Sequence, residues 1–172
     1  RHLNRGRNSS DCSENEVSWE TMNTNEYHLV SVCIPVFNGE RFILDCINSV
    51  LEQSYTNLEL VILDNCSTDS TPEIVKKVKD ERIRYIKNEV NIGAINNFSK
   101  CVEEARGGYF VLLPHDDMLL PGCLLNYVKQ LEDPKIGFVY SAIHVIDENG
   151  DMLSTKINHD KDEKYNSEEA IK

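Results

Sequence analysis

No stretch of these 172 residues approaches the roughly 20 consecutive apolar residues that a membrane-spanning helix needs. The N-terminal residues include Arg and Asn but no apolar core followed by small residues, so no secretory signal is expected; any membrane anchor would lie outside this sequence. Positive charge is scarce: 18 Lys and Arg against 29 Asp and Glu leave a net charge of −11. A surface of that sign repels polyanions and excludes nucleic acid as a partner. A small phosphorylated ligand stays admissible where a bound cation, backbone N–H groups or a local basic residue offsets its charge. The six cysteines (Cys12, Cys33, Cys46, Cys66, Cys101 and Cys123) form no CxxC pair. Several lie in apolar stretches, where a free thiol behaves as a small hydrophobe. Neither a disulfide framework nor a zinc site is expected, and the compartment reads as reducing: the cytoplasm or the cytoplasmic face of a membrane. A glycine cradle is missing too, since the turn after the first apolar run is Pro35-Val36-Phe37-Asn38-Gly39 and not G-x-G-x-x-G, which argues against a dinucleotide-dependent dehydrogenase.

What is present fits one domain with a real core. Residues 1–26 are polar and aperiodic, with Trp19 the one Phe, Trp or Tyr residue among them, and are expected to form a flexible arm. Residues 154–172 are again polar; Ser167-Glu168-Glu169-Ala170-Ile171 resembles a helix start. Between these tails, residues 27–153 alternate regularly. Short β-branched runs are expected as strands at Leu29–Pro35, Leu58–Leu63, Ile83–Ile86 and Tyr109–Leu113, with a last long strand at Gly137–Ile146. Helical spacing is found over Arg41–Gln53, from Pro72 onward, over Ala94–Ala105 and over Pro121–Leu131. Ser70 and Glu73 suit a capping box around Pro72, and Asn149-Gly150 suits a tight turn. Such alternation predicts an α/β fold with a mostly parallel sheet and helices on both faces. Ligands of such sheets bind beyond the carboxyl ends of the strands, which directs attention to the polar residues there.

The first strand ends in Pro35-Val36-Phe37-Asn38-Gly39-Glu40, placing an aromatic ring where a base can stack; a plain turn with Asn38 as helix N-cap is the simpler alternative. The second runs from Val61-Ile62-Leu63 directly into Asp64, followed by Asn65-Cys66-Ser67-Thr68-Asp69. A carboxylate at that point can accept from a base N–H or a ribose hydroxyl, whereas Asp69 or Ser70 is expected to cap. Asn91-Ile92-Gly93 precedes the third helix, and a helix N-terminus favours anions. The sharpest signal closes the fourth strand: after Tyr109–Leu113 come Pro114, His115 and the adjacent pair Asp116-Asp117. Two neighbouring anions at a strand end are costly without a cation or solvent to compensate, and carboxylate oxygens suit Mg²⁺ or Mn²⁺ bridging to a diphosphate. His115 is either a third ligand or an ordinary turn residue.

In this order the motifs resemble those of the family 2 glycosyltransferases, which have the GT-A fold, a Rossmann-like arrangement. The likeness covers residues 29 to 153 or so and rests on Val30–Asn38, on Asp64 with Ser67-Thr68-Asp69, on Asn91 with Gly93, on Arg106-Gly107-Gly108-Tyr109 and on His115-Asp116-Asp117. It implies transfer of a sugar from a nucleotide-diphospho donor, commonly a UDP-sugar, to a saccharide or lipid-linked acceptor, usually with inversion, as in polysaccharide and cell-envelope biosynthesis. By the same resemblance Pro35, Phe37, Asn38 and Glu40 line the nucleotide pocket, Asp64 holds the base, Asn91 and Gly93 belong to the donor site, Asp116 touches ribose or metal, and Asp117 holds Mg²⁺ or Mn²⁺ on the diphosphate. Three departures stand out. Pro114 occupies the first position of the usual Asp-x-Asp-Asp run, Asn65 and Cys66 replace the second Asp and the Gly of Asp-Asp-Gly-Ser, and Phe98-Ser99 replaces an Arg-Asn pair. An inverting transferase also needs a general base; the resemblance places it in the acceptor-binding half, after the matched region, and no residue up to Lys172 is assigned to it. The competing readings are a non-catalytic nucleotide-binding or interaction module of the same fold and a metal-dependent nucleotidyltransferase.

Overall fold

The computed structural model describes residues 28–147 and 150–156. Trp19, Glu148, Asn149 and the segment around Ser167 lie outside the described residues. Four strands, β1 (Val30–Val36), β2 (Leu58–Asp64), β3 (Ile83–Lys87) and β4 (Tyr109–Leu112), form one sheet in the order β3-β2-β1-β4 with every pairing parallel. The helices α1 (Ile43–Leu51), α2 (Thr71–Lys77), α3 (Ala94–Glu104) and α4 (Cys123–Leu131) connect or follow them. Expected and observed elements therefore agree through α4, to within a residue or two at their ends. No helix among the described residues is long and apolar enough to cross a membrane.

The central strands carry the core. All seven residues of β1 and all seven of β2 are buried, because helices cover both sheet faces; this is why their sequences run apolar without alternation. One face holds Ile34, Leu60 and Ile62 against Ile43, Ile47 and Val50 of α1, Val75 of α2 and Leu124 and Val128 of α4. The other face holds Cys33, Val61 and Leu63 against Cys101 of α3. Complete burial of each such aliphatic side chain contributes roughly 1.5–3 kcal/mol.

Two expectations are corrected. Gly137–Ile146 does not form one long strand of the main sheet: only β5 (Ile143–Ile146) is strand, and it pairs antiparallel with β6 (Met152–Lys156) in a separate two-stranded sheet. The local hairpin is stabilised by its own turn, where the Gly150 amide donates to the Asp147 carbonyl at 3.1 Å with Gly150 at φ 89°. Phe138 and Tyr140, on a segment outside any strand, stack on each other with ring centroids 6.0 Å apart. The capping box at Ser70 also fails to form. Ser70 is the N-cap residue of α2 but makes no side-chain cap; Asp69 Oδ1 accepts from the Thr71 amide at 3.0 Å and Glu40 Oε2 accepts from the Ser70 amide at 2.9 Å. A carboxylate already held on the incoming turn displaces the hydroxyl from that task.

At the amino edge of the sheet a charged network, invisible to periodicity, ties four elements together. Glu59 of β2 is 8% exposed. Its Oε1 accepts from Ser31 Oγ at 2.6 Å and from the Arg106 amide at 2.7 Å, and its Oε2 pairs with Arg84 at 3.0 Å. Arg84 reaches on to Glu104 Oε2 at 2.8 Å and to the Glu104 carbonyl at 2.9 Å, closing the end of α3. Gly107 is required beside this network: a Cβ there would stand 2.4 Å from the Leu29 carbonyl oxygen and 2.7 Å from the Ser31 nitrogen. Burial alone would raise the Glu59 pKa, but hydrogen bonds from Ser31, the Arg106 amide and Arg84, with the Arg84 charge, outweigh it and hold the carboxyl below its ordinary value. A depressed folded-state pKa means stability present above the ordinary value near 4.5 and lost as pH falls through the folded one. Glu59→Gln, which removes the more deeply buried of the two carboxylate partners of Arg84 and leaves Glu104, is expected to lower stability by roughly 1–3 kcal/mol at neutral pH, and chemical denaturation between pH 3 and 7 should show a shallower acid-side loss for the variant than for the parent chain.

Candidate functional site

Because all four main strands run parallel, their carboxyl ends, and the turns after them, meet at one edge of the sheet. Pro35 lies near the carboxyl end of β1 and Phe37–Glu40 follow that strand, Asp64 closes β2, Asn91 and Gly93 follow β3, and Asp116-Asp117 follow β4. The expected site residues therefore share one rim, with the turns of β2 and β4 flanking that of β1.

The turns after β1 and β2 are stitched together. The Asn38 amide donates to Ser67 Oγ at 2.9 Å, the Gly39 amide to Thr71 Oγ1 at 2.9 Å and the Glu40 amide to Asp69 Oδ2 at 3.0 Å. In return the Thr68 amide donates to Asn38 Oδ1 at 2.9 Å and the Ser70 amide to Glu40 Oε2. Asn38 sits at φ 53°, so its amide side chain folds onto the neighbouring turn and does not cap α1, whose N-cap residue is Phe42. Pro35 is buried in the strand, while the Phe37 ring is 44% exposed at the rim. Hydrogen bonds from the Thr71 hydroxyl and amide and from the Glu40 amide outweigh burial and hold the Asp69 carboxyl below its usual range.

Asp64 is fully buried. Its Oδ1 accepts from the Ser67 amide at 2.7 Å and its Oδ2 from the Tyr85 hydroxyl, with Lys87 Nζ 4.0 Å away. Burial, then the hydrogen bond to Asp64, raise the Tyr85 pKa, so its hydroxyl stays protonated and remains a donor. No solvent reaches an Asp64 oxygen; in this arrangement the carboxylate shapes the β2 turn instead of presenting an oxygen at the surface. Lys87, whose Nζ donates to the Ser67 carbonyl at 2.8 Å, is a partly exposed cation beside it.

Behind Asp64 lies an asparagine network that the sequence motifs do not announce. Asn65 Oδ1 accepts from Asn88 Nδ2 at 3.1 Å and from the Ile92 amide at 2.9 Å, while Asn65 Nδ2 donates to Asn91 Oδ1 at 2.8 Å. Asn88 Nδ2 also donates to Asn97 Oδ1, Asn97 Nδ2 to the Leu63 carbonyl, and Lys100 Nζ to Asn88 Oδ1 at 2.7 Å. Asn91 Oδ1 accepts from the Gly93 amide as well, and Gly93, at φ 82°, is the N-cap residue of α3. Asn91 and Gly93 are thus exposed members of a turn held from below. The network also accounts for amide chemistry at position 65: a carboxylate there would face the Asn91 oxygen with no proton to offer.

The acid pair occupies a tight turn, with the Asp117 amide donating to the Pro114 carbonyl at 3.0 Å. Pro114 has no N–H, so the β4 ladder to β1 ends one residue earlier, where the Leu113 amide donates to the Cys33 carbonyl at 2.9 Å. From beneath, α1 and Gln53 just beyond its end clamp the loop. Cys46 Sγ donates to the Pro114 carbonyl at 3.5 Å, Ser49 Oγ accepts from the Leu119 amide at 3.1 Å, and Gln53 Nε2 donates to the Leu120 carbonyl at 3.0 Å. Asp116 and Asp117 are both exposed. Burial and then the Asp116 charge push the Asp117 pKa up, with His115 opposing. The field of the pair reaches down to Cys46, whose thiol is pushed up to about 12 by burial, by Asp117 and by Asp116.

Among the described residues no group of three or more His, Cys, Asp or Glu side chains gathers as a metal cage. The donor set nevertheless fits a hard divalent cation that keeps water or phosphate ligands: two exposed carboxylates on adjacent residues, one already disfavoured as an anion by burial and then by its neighbour. Two charge-bearing features thus share the rim, an exposed acid pair and a preorganised turn surface with an aromatic ring.

The Glycosyl transferase family 2 model matches residues 31–171. A similar curated protein is the UDP-Glc:alpha-D-GlcNAc-diphosphoundecaprenol beta-1,3-glucosyltransferase of Escherichia coli, 35% identical over 68% of this chain and 47% of its own. Among solved structures, the mannosyltransferase of Pyrobaculum calidifontis in complex with GDP-Man and Mn²⁺ aligns with a TM-score of 0.60 and 25% identity, over 72% of this chain and 36% of that one. S. aureus TarS in complex with UDP-GlcNAc aligns with a TM-score of 0.55 and 26% identity, over 62% and 31%. The chain spans between 37% and 50% of the length of the first three curated relatives.

Replacing Asn65 with Asp tests the asparagine network. The loss of the donor to Asn91 is expected to cost about 1–3 kcal/mol in urea titration, with hydrogen exchange speeding up first at the Ile92 and Gly93 amides.

Proposed function

This chain belongs to glycosyl transferase family 2, and from that premise we propose that it is the donor-binding part of a metal-dependent glycosyltransferase. The donor is a nucleotide-diphospho-sugar, taken to be a UDP-sugar. The acceptor is a saccharide or a lipid-linked saccharide, met in the cytoplasm or at the cytoplasmic face of a membrane, and transfer proceeds with inversion. The observation that carries the reading is the exposed Asp116-Asp117 pair on the same sheet rim as the interlocked turns after β1 and β2. Support for the ligand classes comes from the similar proteins, whose names carry UDP-Glc, UDP-GlcNAc, GDP-Man and Mn²⁺.

Each residue then has a task. The Phe37 ring gives the base a face to stack on, and Pro35, Asn38 and Glu40 fix the turn that carries it. Asp64 supports the base site from below by holding the Ser67 amide and the Tyr85 hydroxyl. Asn91 and Gly93 place the N-terminus of α3 where its free amides favour the anionic diphosphate. Asp117 would hold Mg²⁺ or Mn²⁺, and Asp116 would touch the ribose or the same ion. When bound, that ion neutralises charge developing on the departing nucleoside diphosphate. The general base that an inverting transferase needs is assigned to chain beyond the donor-binding part, so the 172 residues are expected to bind donor and to transfer poorly alone.

A thermal-shift screen of UDP-, GDP- and dTDP-sugars with and without Mn²⁺ tests this. A ligand that binds only the folded state raises the melting temperature by mass action, by about 2.7 kcal/mol of stabilisation at a hundredfold excess over its Kd. We expect a UDP-sugar to stabilise only with Mn²⁺ and Asp117→Ala to abolish the effect. Absence of stabilisation by every nucleotide sugar with Mn²⁺ would overturn the proposal in favour of a non-catalytic module.

A further inference from the structure

His115 precedes the acid pair and lies, partly buried, against the turn after β1. A Cβ built on Gly39 would stand 2.6 Å from His115 Cδ2, 3.2 Å from its Cγ and 2.6 Å from Val36 Cγ2. The imidazole therefore lies against Gly39 closely enough to leave no room for even one methyl. Gly39 is itself immobilised, because its amide donates to Thr71 Oγ1 at the base of the stitched turns. The ring is a lateral contact between the turn that carries the acids and the turn after β1; Cys46 and Ser49 of α1 and Gln53 just beyond that helix anchor the acid loop from beneath.

We propose that His115 is a positioning residue. Its ring, seated on Gly39, fixes the lateral distance between the Asp116-Asp117 turn and the β1–β2 turns, so that one nucleotide diphosphate can engage both at once. This rests on the donor-site reading above and adds to it a residue that acts by shape, not as a ligand or proton carrier. Gly39 is the other half of the device, since any side chain there would wedge the two turns apart. Small displacements matter in such a bridge: a shift of about 1 Å at a bound geometry can cost 10²-fold.

The test uses the full 172-residue chain and titrates UDP by calorimetry with and without Mn²⁺. The quantity read is the ratio of the two affinities. In the parent chain Mn²⁺ is expected to tighten UDP binding by tenfold or more. In His115→Ala the ratio should fall toward one, because the acids are no longer held at the bridging distance. His115→Phe, which keeps a ring and removes both nitrogens, should retain at least half of the Mn²⁺ gain. Gly39→Ala, approaching the contact from the opposite side, should behave like His115→Ala and serves in its place if that variant does not fold. A parent-like ratio in His115→Ala or in Gly39→Ala overturns the proposal. So does a ratio near one in His115→Phe, which would make the imidazole nitrogens the active feature. A parent chain that binds UDP with no Mn²⁺ gain refutes both this bridge and the metal-dependent reading, whereas a parent gain that His115→Ala leaves intact refutes the bridge alone.

Discussion

A backbone amide at the end of a buried parallel strand has to find an acceptor, and at this rim the acceptors are supplied by the neighbouring turn. Asn38, Gly39 and Glu40 donate to Ser67, Thr71 and Asp69, and Thr68 and Ser70 donate back to Asn38 and Glu40. This reciprocal exchange brings the turns after β1 and β2 into a single surface. It leaves few loose polar groups between them, so the surface is shaped before any ligand arrives, and the entropy of ordering it is met during folding. The proposed stacking ring, the buried Asp64 and the start of α2 all depend on that exchange.

The same principle operates twice more with different chemistry. At the amino edge it takes charged form, with Glu59 gathering Ser31, Arg84 and the Arg106 amide. Behind the rim it takes neutral form, with Asn65, Asn88, Asn91 and Asn97 sharing donors and acceptors in a closed set. Neutral amides suit the second place because it adjoins Asp64; a further carboxylate beside that buried anion would raise the cost of both. Asn65 and Asn97 stand in N-x-Ser triplets, yet both are buried inside this set.

Much of the fold is legible in the sequence, for a plain reason. Burial on both faces makes β1 and β2 mostly apolar, with Ser31, Glu59 and Asp64 the exceptions, and helices packed on one side make α1 and α4 periodic, so element type follows largely from hydrophobic patterning. The long strand expected at Gly137–Ile146 shows the limit. Spacing reports that a segment favours extended chain but not which partner it takes, and a nearby Gly150 turn gives β5 a local partner in β6. That the candidate residues share one rim is legible too, since side chains at the carboxyl ends of parallel strands meet at one edge of the sheet. The state of each side chain is not. Asp64 reads from sequence as a free acceptor, but Tyr85 and the Ser67 amide already occupy its oxygens, and both contacts depend on strand register. Asn38 reads as a helix cap, and its φ of 53° turns it to Thr68 instead. The pairing of His115 with Gly39 joins positions 76 apart in the chain, and no local pattern encodes it.

The Asn38-Gly39 step also has a chemical lifetime. Asparagine followed by glycine is prone to cyclise when the glycine nitrogen attacks the side-chain carbonyl, giving an imide that opens to aspartate or isoaspartate. In the folded chain that nitrogen donates to Thr71 and the side-chain oxygen accepts from Thr68, so nucleophile and electrophile are each held by a third party. Ageing at this step is therefore gated by opening of the rim. The fraction of isoaspartate that accumulates at position 38 in stored protein records how long these turns have spent apart.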